Sequence, residues 1–207
     1  MLCSYGAQVS ASTEVFVDLK AVVSPFHLAI YAGSVESVAA LCQHASSGIN
    51  VPTIPPYALA VPSLTPLDFL TDCICLPENK LLTIAQLLLN TSGIAPTINP
   101  ERAIHLLFEC CRSGYYQLLK YLLGLRGEMI NLNYVHPWAG GTLLHLIIKD
   151  QRLTTDAKID LITSLTTAGA DVNTPPVAGH QTATDVGFAI LIDDTLKSYL
   201  LSLGMRL

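Results

Sequence analysis

Five polar positions recur at almost one interval: His27, Asp68, His105, His145 and Asp185 are separated by 41, 37, 40 and 40 residues. Imidazoles and carboxylates move protons, activate nucleophiles and ligate metals, so the first question is whether these groups can converge on one centre. Each stands in a short segment resembling the others: Ser24-Pro25-Phe26-His27, Thr65-Pro66-Leu67-Asp68, Ile104-His105-Leu106-Leu107, Thr142-Leu143-Leu144-His145 and Thr182-Ala183-Thr184-Asp185. A fixed period of this length predicts a stacked array with one such residue per unit. Neighbouring imidazoles would then lie about 10 Å apart, the spacing of packed helices, too far for one metal ion to bind them together. The pattern predicts a structural duty instead. Each His or Asp closes the start of its own helix by bonding the backbone and the Ser or Thr hydroxyl of its segment, and ties that start to the neighbouring turn.

The cysteines point the same way. They stand at 3, 42, 73, 75, 110 and 111, one pair adjacent and one separated by a single residue, which is not the spacing of a zinc site. Cys42, Cys110 and Cys111 lie in apolar helical stretches, where a free thiol behaves as a small buried hydrophobe in a reducing, intracellular compartment. His105 cannot serve as base to Cys110 or Cys111, because offsets of five and six point side chains to different faces of a helix. No Gly-rich phosphate loop or carboxylate pair is present. The sequence predicts no metal, no cofactor and no enzymatic activity within this segment.

The elements that must hold these groups are helices. From Ser24, Pro25 suits a first helical position after a Ser cap, Phe26, Ala29 and Ile30 share a face, and Gly33 ends the helix. Val35, Val38, Leu41 and Cys42 predict a second helix. Further second helices are read at Leu81–Leu89, Gln117–Leu123, Ala157–Leu165 and Asp194–Leu203. The predicted fold is all-α: residues 1–20 a polar tail and lead-in, then five helix-turn-helix units at about 21–50, 62–97, 99–133, 139–173 and 179–207, with an insertion at 50–64 and hairpin or extended loops between. Charged residues make up only 13% of the chain, about half the usual share. Even so, no apolar run nears the roughly 20 residues of a membrane span, and no secretory leader is visible, so no membrane insertion is expected. A net charge of −5 with scattered basic residues argues against nucleic acid as a partner.

These residues carry a family resemblance. The T-P-L-H-like openings, Gly33 after the first helix and the run Ala168-Gly169-Ala170-Asp171-Val172-Asn173 after a second helix resemble the ankyrin repeat over about residues 20–207. The period near 40 departs from the family's 33, with the extra residues at 50–64, 72–80 and 151–156. HEAT and armadillo arrays have units of similar length but lack these opening and exit motifs. The resemblance implies a solenoid that binds another protein without catalysis, through the exposed side of its first helices and its hairpin tips. By position this gives Tyr31 and Ala32, Asp72, Glu109 and Cys110, and Lys149 and Asp150, with Trp138 at the tip before the fourth unit. The Pro-rich insertion adds Ile54 and Tyr57 as presented apolar groups.

Other readings come from the same residues. Leu76-Pro77-Glu78-Asn79-Lys80-Leu81-Leu82-Thr83-Ile84 looks like the opening of an F-box, which would make the chain a ubiquitin-ligase adaptor. The chain could also be the binding part of a larger enzyme. Its loop-extended form resembles arrays in secreted effectors of intracellular bacterial pathogens, which would act in host cytoplasm. The last unit, with Phe188, Ile190, Leu191, Ile192, Leu200, Leu201 and Leu203, predicts an apolar end that either continues or packs against something, a homodimer included.

Overall fold

The computed structural model describes residues 13–14, 22–44, 50, 64–91, 100–126, 130–137, 139–175 and 193–205. The described chain is mostly helical, in agreement with the all-α expectation. It divides into two compact parts, Met1–Leu106 and Leu107–Leu207.

The first part opens on two short antiparallel strands, β1 (Thr13–Glu14) and β2 (Val22–Val23), with Thr13 opposite Val23 and Glu14 opposite Val22. Thr13 and Glu14, in the stretch read as tail and lead-in, thus pair with the chain just before α1. Helix α1 (Pro25–Tyr31) follows with Ser24 as N-cap in extended geometry and Pro25 at its first position, where a missing N–H costs nothing. Gly33, at φ +60, ends it, with the Gly33 N–H bonded to Ile30 O and the Ser34 N–H to Ala29 O, the two bonds of a Schellman turn. Helix α2 (Val35–His44) then packs on both α1 and α3 (Glu78–Leu89). Between them, the first helix expected of the second unit is a 3-10 segment, Asp68–Cys73, which packs on α1. Its six residues include Thr71 and Asp72, weak helix formers, and Pro77 bars continuation soon after. Phe26, Ile30, Val38, Leu70, Leu81, Ile84 and Leu88 are fully buried and make the core here.

Helix α4 (Pro100–Ser113) spans the boundary between the parts. In the second part α5 (Tyr116–Arg126) lies against α7 (Thr155–Thr167), and α7 also against α6 (Leu143–Lys149) and α8 (Asp194–Ser202). Leu118, Leu119, Leu122 and Leu123 of α5 and Leu161, Ile162 and Leu165 of α7 are buried at helical spacing, each large side chain contributing roughly 1.5–3 kcal/mol by leaving water. Before α6 the chain makes a hairpin turn in which the His136 N–H donates to Gly141 O at 3.0 Å and the Gly140 N–H to His136 O at 2.9 Å. Phe108 holds the hairpin through ring contacts with Tyr134 and His136, centroids 6.3 and 4.7 Å away.

Of the apolar end read in the sequence, the structure describes α8 and Leu203. Leu196 and Leu200 point into the core, while Asp194, Thr195, Lys197, Ser198 and Ser202 are exposed and Leu201 is the one exposed large apolar side chain of the helix. A polar outer face gives no apolar drive to a dimer through α8. Phe188 and residues 190–192 lie outside the described residues, as does the opening of the fifth unit.

Two glycines yield opposite predictions for one chemical change. Gly114 closes α4 at φ +80, and a Cβ there would stand 3.3 Å from the Arg152 guanidinium. Gly124 lies within α5 with nothing within 4 Å of such a Cβ. Gly114→Ala is expected to cost about 1–2 kcal/mol for the left-handed backbone, while Gly124→Ala adds roughly 0.5–1 kcal/mol; urea unfolding of both variants checks the pair of signs.

Candidate partner-binding surface

The helix starts that the sequence singled out are built as expected at three places. At α1 the Ser24 N–H donates to His27 Nδ1 at 3.3 Å, the Ser24 hydroxyl lies 2.7 Å from the same nitrogen, and His27 Nε2 reaches Leu64 O at 2.9 Å. At α6 the Thr142 N–H donates to His145 Nδ1 at 3.1 Å and the hydroxyl lies 2.8 Å away. At the 3-10 segment the Thr65 N–H and hydroxyl both donate to Asp68 Oδ2, at 3.0 and 2.9 Å, and the Asp68 N–H returns a bond to Thr65 Oγ1. These are reciprocal capping boxes in which His or Asp replaces the usual Glu or Gln.

His105 does not join them. Helix α4 starts at Pro100, so its third residue is Arg102, and His105 falls a turn later on an exposed face. The Pro at the first position, not the His, fixes where this helix begins. Arg102 pairs with Asp72 at 3.7 Å. Asp185 lies outside the described residues.

Of the residues expected to meet a partner, Tyr31 ends α1 with 53% of its surface exposed, and Lys149 ends α6 exposed. Asp72 is exposed; partial burial raises its carboxyl above the ordinary range, against the pull of Arg102. Glu109 pairs with Arg112 on its own helix. Cys110 is fully buried, which removes it from the exposed set. Ile54, Tyr57 and Trp138 lie outside the described residues. In the F-box-like stretch, Leu81 and Ile84 are fully buried and face the core, while Leu76 and Leu82 are half-buried.

Asp150 is placed otherwise than the sequence suggested. Its carboxylate is the centre of a cluster: Arg152 donates to it from Nε at 2.9 Å and Nη2 at 2.7 Å, the Arg152 N–H adds a bond at 2.9 Å, and the Tyr116 hydroxyl donates as well. Only 10% of its side chain is exposed. The same guanidinium donates to Cys111 O at 2.9 Å and Arg112 O at 3.2 Å, carbonyls at the end of α4, where positive charge is favoured. Burial would raise the Asp150 carboxyl, yet the bonds from Arg152 and Tyr116 hold it at about 2. Tyr116 moves up, through burial first and then its bond to Asp150. Asp150 is thus occupied in joining the α6–α7 turn to the α4–α5 turn.

Sequence reasoning missed Arg152 and also Lys158, which is buried in α7 and donates to Ile148 O near the end of α6 at 2.8 Å. A cation in an otherwise apolar stripe was the only available signal. It missed too that Asn131-Leu132-Asn133 and Asp171-Val172-Asn173 are equivalent turns 40 residues apart. Each first side chain accepts from the N–H two residues on, at 3.1 and 2.8 Å, and Asn133 Oδ1 accepts from the Asp171 N–H at 2.7 Å.

Cys73 and Cys111 do not suit nucleophilic chemistry. Burial, helped by Asp72 and Cys75, pushes Cys73 to about 12, and burial and Asp150 push Cys111 to about 12 against the effect of Arg152. A reactive cysteine needs the opposite shift. Among the described residues no group of three or more His, Cys, Asp or Glu side chains is arranged to hold a metal ion, and no helix is long and apolar enough to cross a membrane.

No protein-family model matches the chain, and neither a curated protein nor a solved structure matches it.

Asp150→Asn is expected to lower stability at neutral pH by roughly 1.5–3 kcal/mol, the range for hydrogen bonds to a charged group, nearer the lower end because the Arg152 side chain is 53% exposed. A folded carboxyl held at about 2, below its unfolded value near 3.9, gives stability that is complete above pH 4 and lost as pH falls through 2. Acid unfolding of Asp150→Asn followed by circular dichroism should therefore be flatter than wild type between pH 4 and pH 2; parallel curves refute the assignment.

Proposed function

We propose that this chain is a divergent ankyrin-type array that works as a non-catalytic protein-binding module, recognising its partner through the exposed ends of its first helices. The supporting observation is the reach of its polar contacts. Within the first part, His27 bonds Leu64, 37 residues on. Within the second, Asn133 bonds Asp171 across 38 residues, Lys120 pairs with Asp160 across 40, Arg152 reaches Arg112 across 40, and the Thr163 and Tyr199 hydroxyls meet across 36. Each link spans about one period, as neighbour-to-neighbour stacking demands.

Binding follows from what is left exposed. The ends of α1 and α6 carry Tyr31 and Lys149, both exposed. Tyr is among the residue types that dominate interface energetics.

The test is affinity capture with the purified chain, wild type against a Tyr31→Ala, Lys149→Glu double variant. Both sites are on the surface, so the variant should keep its urea midpoint within about 0.5 kcal/mol of wild type while losing a stoichiometric protein partner that wild type retains. Equal recovery of every captured protein by the two chains, or no capture above a bait-free control, overturns this reading.

A further inference from the structure

We propose that His27 is an acid-responsive latch that fastens α1 to the chain opening the next helical segment, closed at neutral pH and released under mild acid. The imidazole is fully buried, with both ring nitrogens committed. The Ser24 N–H can only donate, so Nδ1 must accept; Leu64 O can only accept, so Nε2 must carry the proton. The ring is therefore neutral, in a single tautomer. A second proton on Nδ1 would face the Ser24 N–H, donor against donor, and would leave a charge inside the core.

The surroundings give that proton little help. Among the described residues, the elements packed closely on α1 are α2, the 3-10 segment and β2. β2 is two valines. On α2, Glu36 and His44 are exposed and Cys42 turns to Leu87 O. The 3-10 segment brings the neutral thiol of Cys73, Asp72 on its exposed side, the Phe69 ring edge-on at 5.2 Å, and Asp68, whose carboxylate acts on the imidazole. Burial lowers the affinity of His27 for a proton, and the Leu64 and Thr65 carbonyls and Asp68 oppose that without cancelling it.

The sign follows. A histidine that prefers neutrality when closed and titrates near 6.5 when released loses closed-state stability as pH falls through 6.5. If the closed form stays neutral throughout, the opening equilibrium rises up to about thirtyfold from pH 7.5 to pH 5.0. The chain itself supplies the control: at Thr65 it makes the same two cap bonds with a carboxylate, Asp68. His27→Asp installs a side chain of a type that does not change charge in this window.

Amide hydrogen-exchange protection factors, which remove the intrinsic pH dependence of exchange, read the latch directly at Leu28, bonded to Ser24 O, and Phe69, bonded to Thr65 O. In the full wild-type chain both should fall about tenfold to thirtyfold between pH 7.5 and pH 5.0, relative to Leu165 in α7, and should stay level in His27→Asp. Equal falls in the two chains, or no fall in wild type, overturn the proposal. Should His27→Asp fail to fold, ring-nitrogen NMR of wild type decides: a neutral ring protonated at Nε2 that resists protonation below pH 6.5 supports the latch. A ring protonated at Nδ1, or one titrating at or above 6.5, refutes it.

Discussion

A helix that starts inside a protein brings amide hydrogens that water cannot reach, and this is the constraint on which the rest of the structure depends. The first turn has four such donors, and an unmet one costs about as much as a hydrogen bond gains. Here Ser24 and Thr142 are buried and Thr65 is half-buried, and each is answered from within its own segment by a side chain three residues ahead. At Thr65 the answering group is a carboxylate, that of Asp68, itself buried. An imidazole does it without charge and has a second nitrogen to spare. At His27 that second nitrogen is spent on Leu64, so one side chain both starts a helix and fixes where the next segment begins.

Few charges are present, and several of those described are used at the turns. Arg152 closes the exposed carbonyls of α4 while holding Asp150, which also takes the Tyr116 hydroxyl. Lys158 caps α6 from the neighbouring helix. The longer-range contacts between α5, α7 and α8 are exposed pairs, Lys120 with Asp160 and Thr163 with Tyr199, and each is worth little alone. Adhesion between helices therefore comes from the leucine and isoleucine faces, and the polar groups set register.

Where a cap could be read in the sequence, so could the local fold. Ser24-Pro25 and Thr142 announced α1 and α6 because the stop and start residues are local, and the buried side of α7 follows from Leu161, Ile162 and Leu165 at helical spacing. His105 misled because a periodic residue type was taken as the marker, while the physical marker, Pro100, stood five residues earlier. Asp150 looked like a surface acid because its partners Tyr116 and Arg152 are brought to it by packing rather than by adjacency: 34 residues separate it from Tyr116. Cys110 looked exposed by analogy of position and is buried, since α4 uses a wide apolar face that includes Leu106, Leu107, Cys110 and Cys111. The strand pair at Thr13–Glu14 gave no warning at all, two residues being too few for any alternation to show.

The modest reach of these links has a kinetic side. Closing a loop of some forty residues is a small entropic step, and contacts of limited sequence separation go with rapid folding. An array of the kind proposed above can nucleate at any adjoining pair of helices and grow outward, so that no single distant meeting of its ends gates assembly and a newly made N-terminal portion can begin to compact before the remainder has been synthesised.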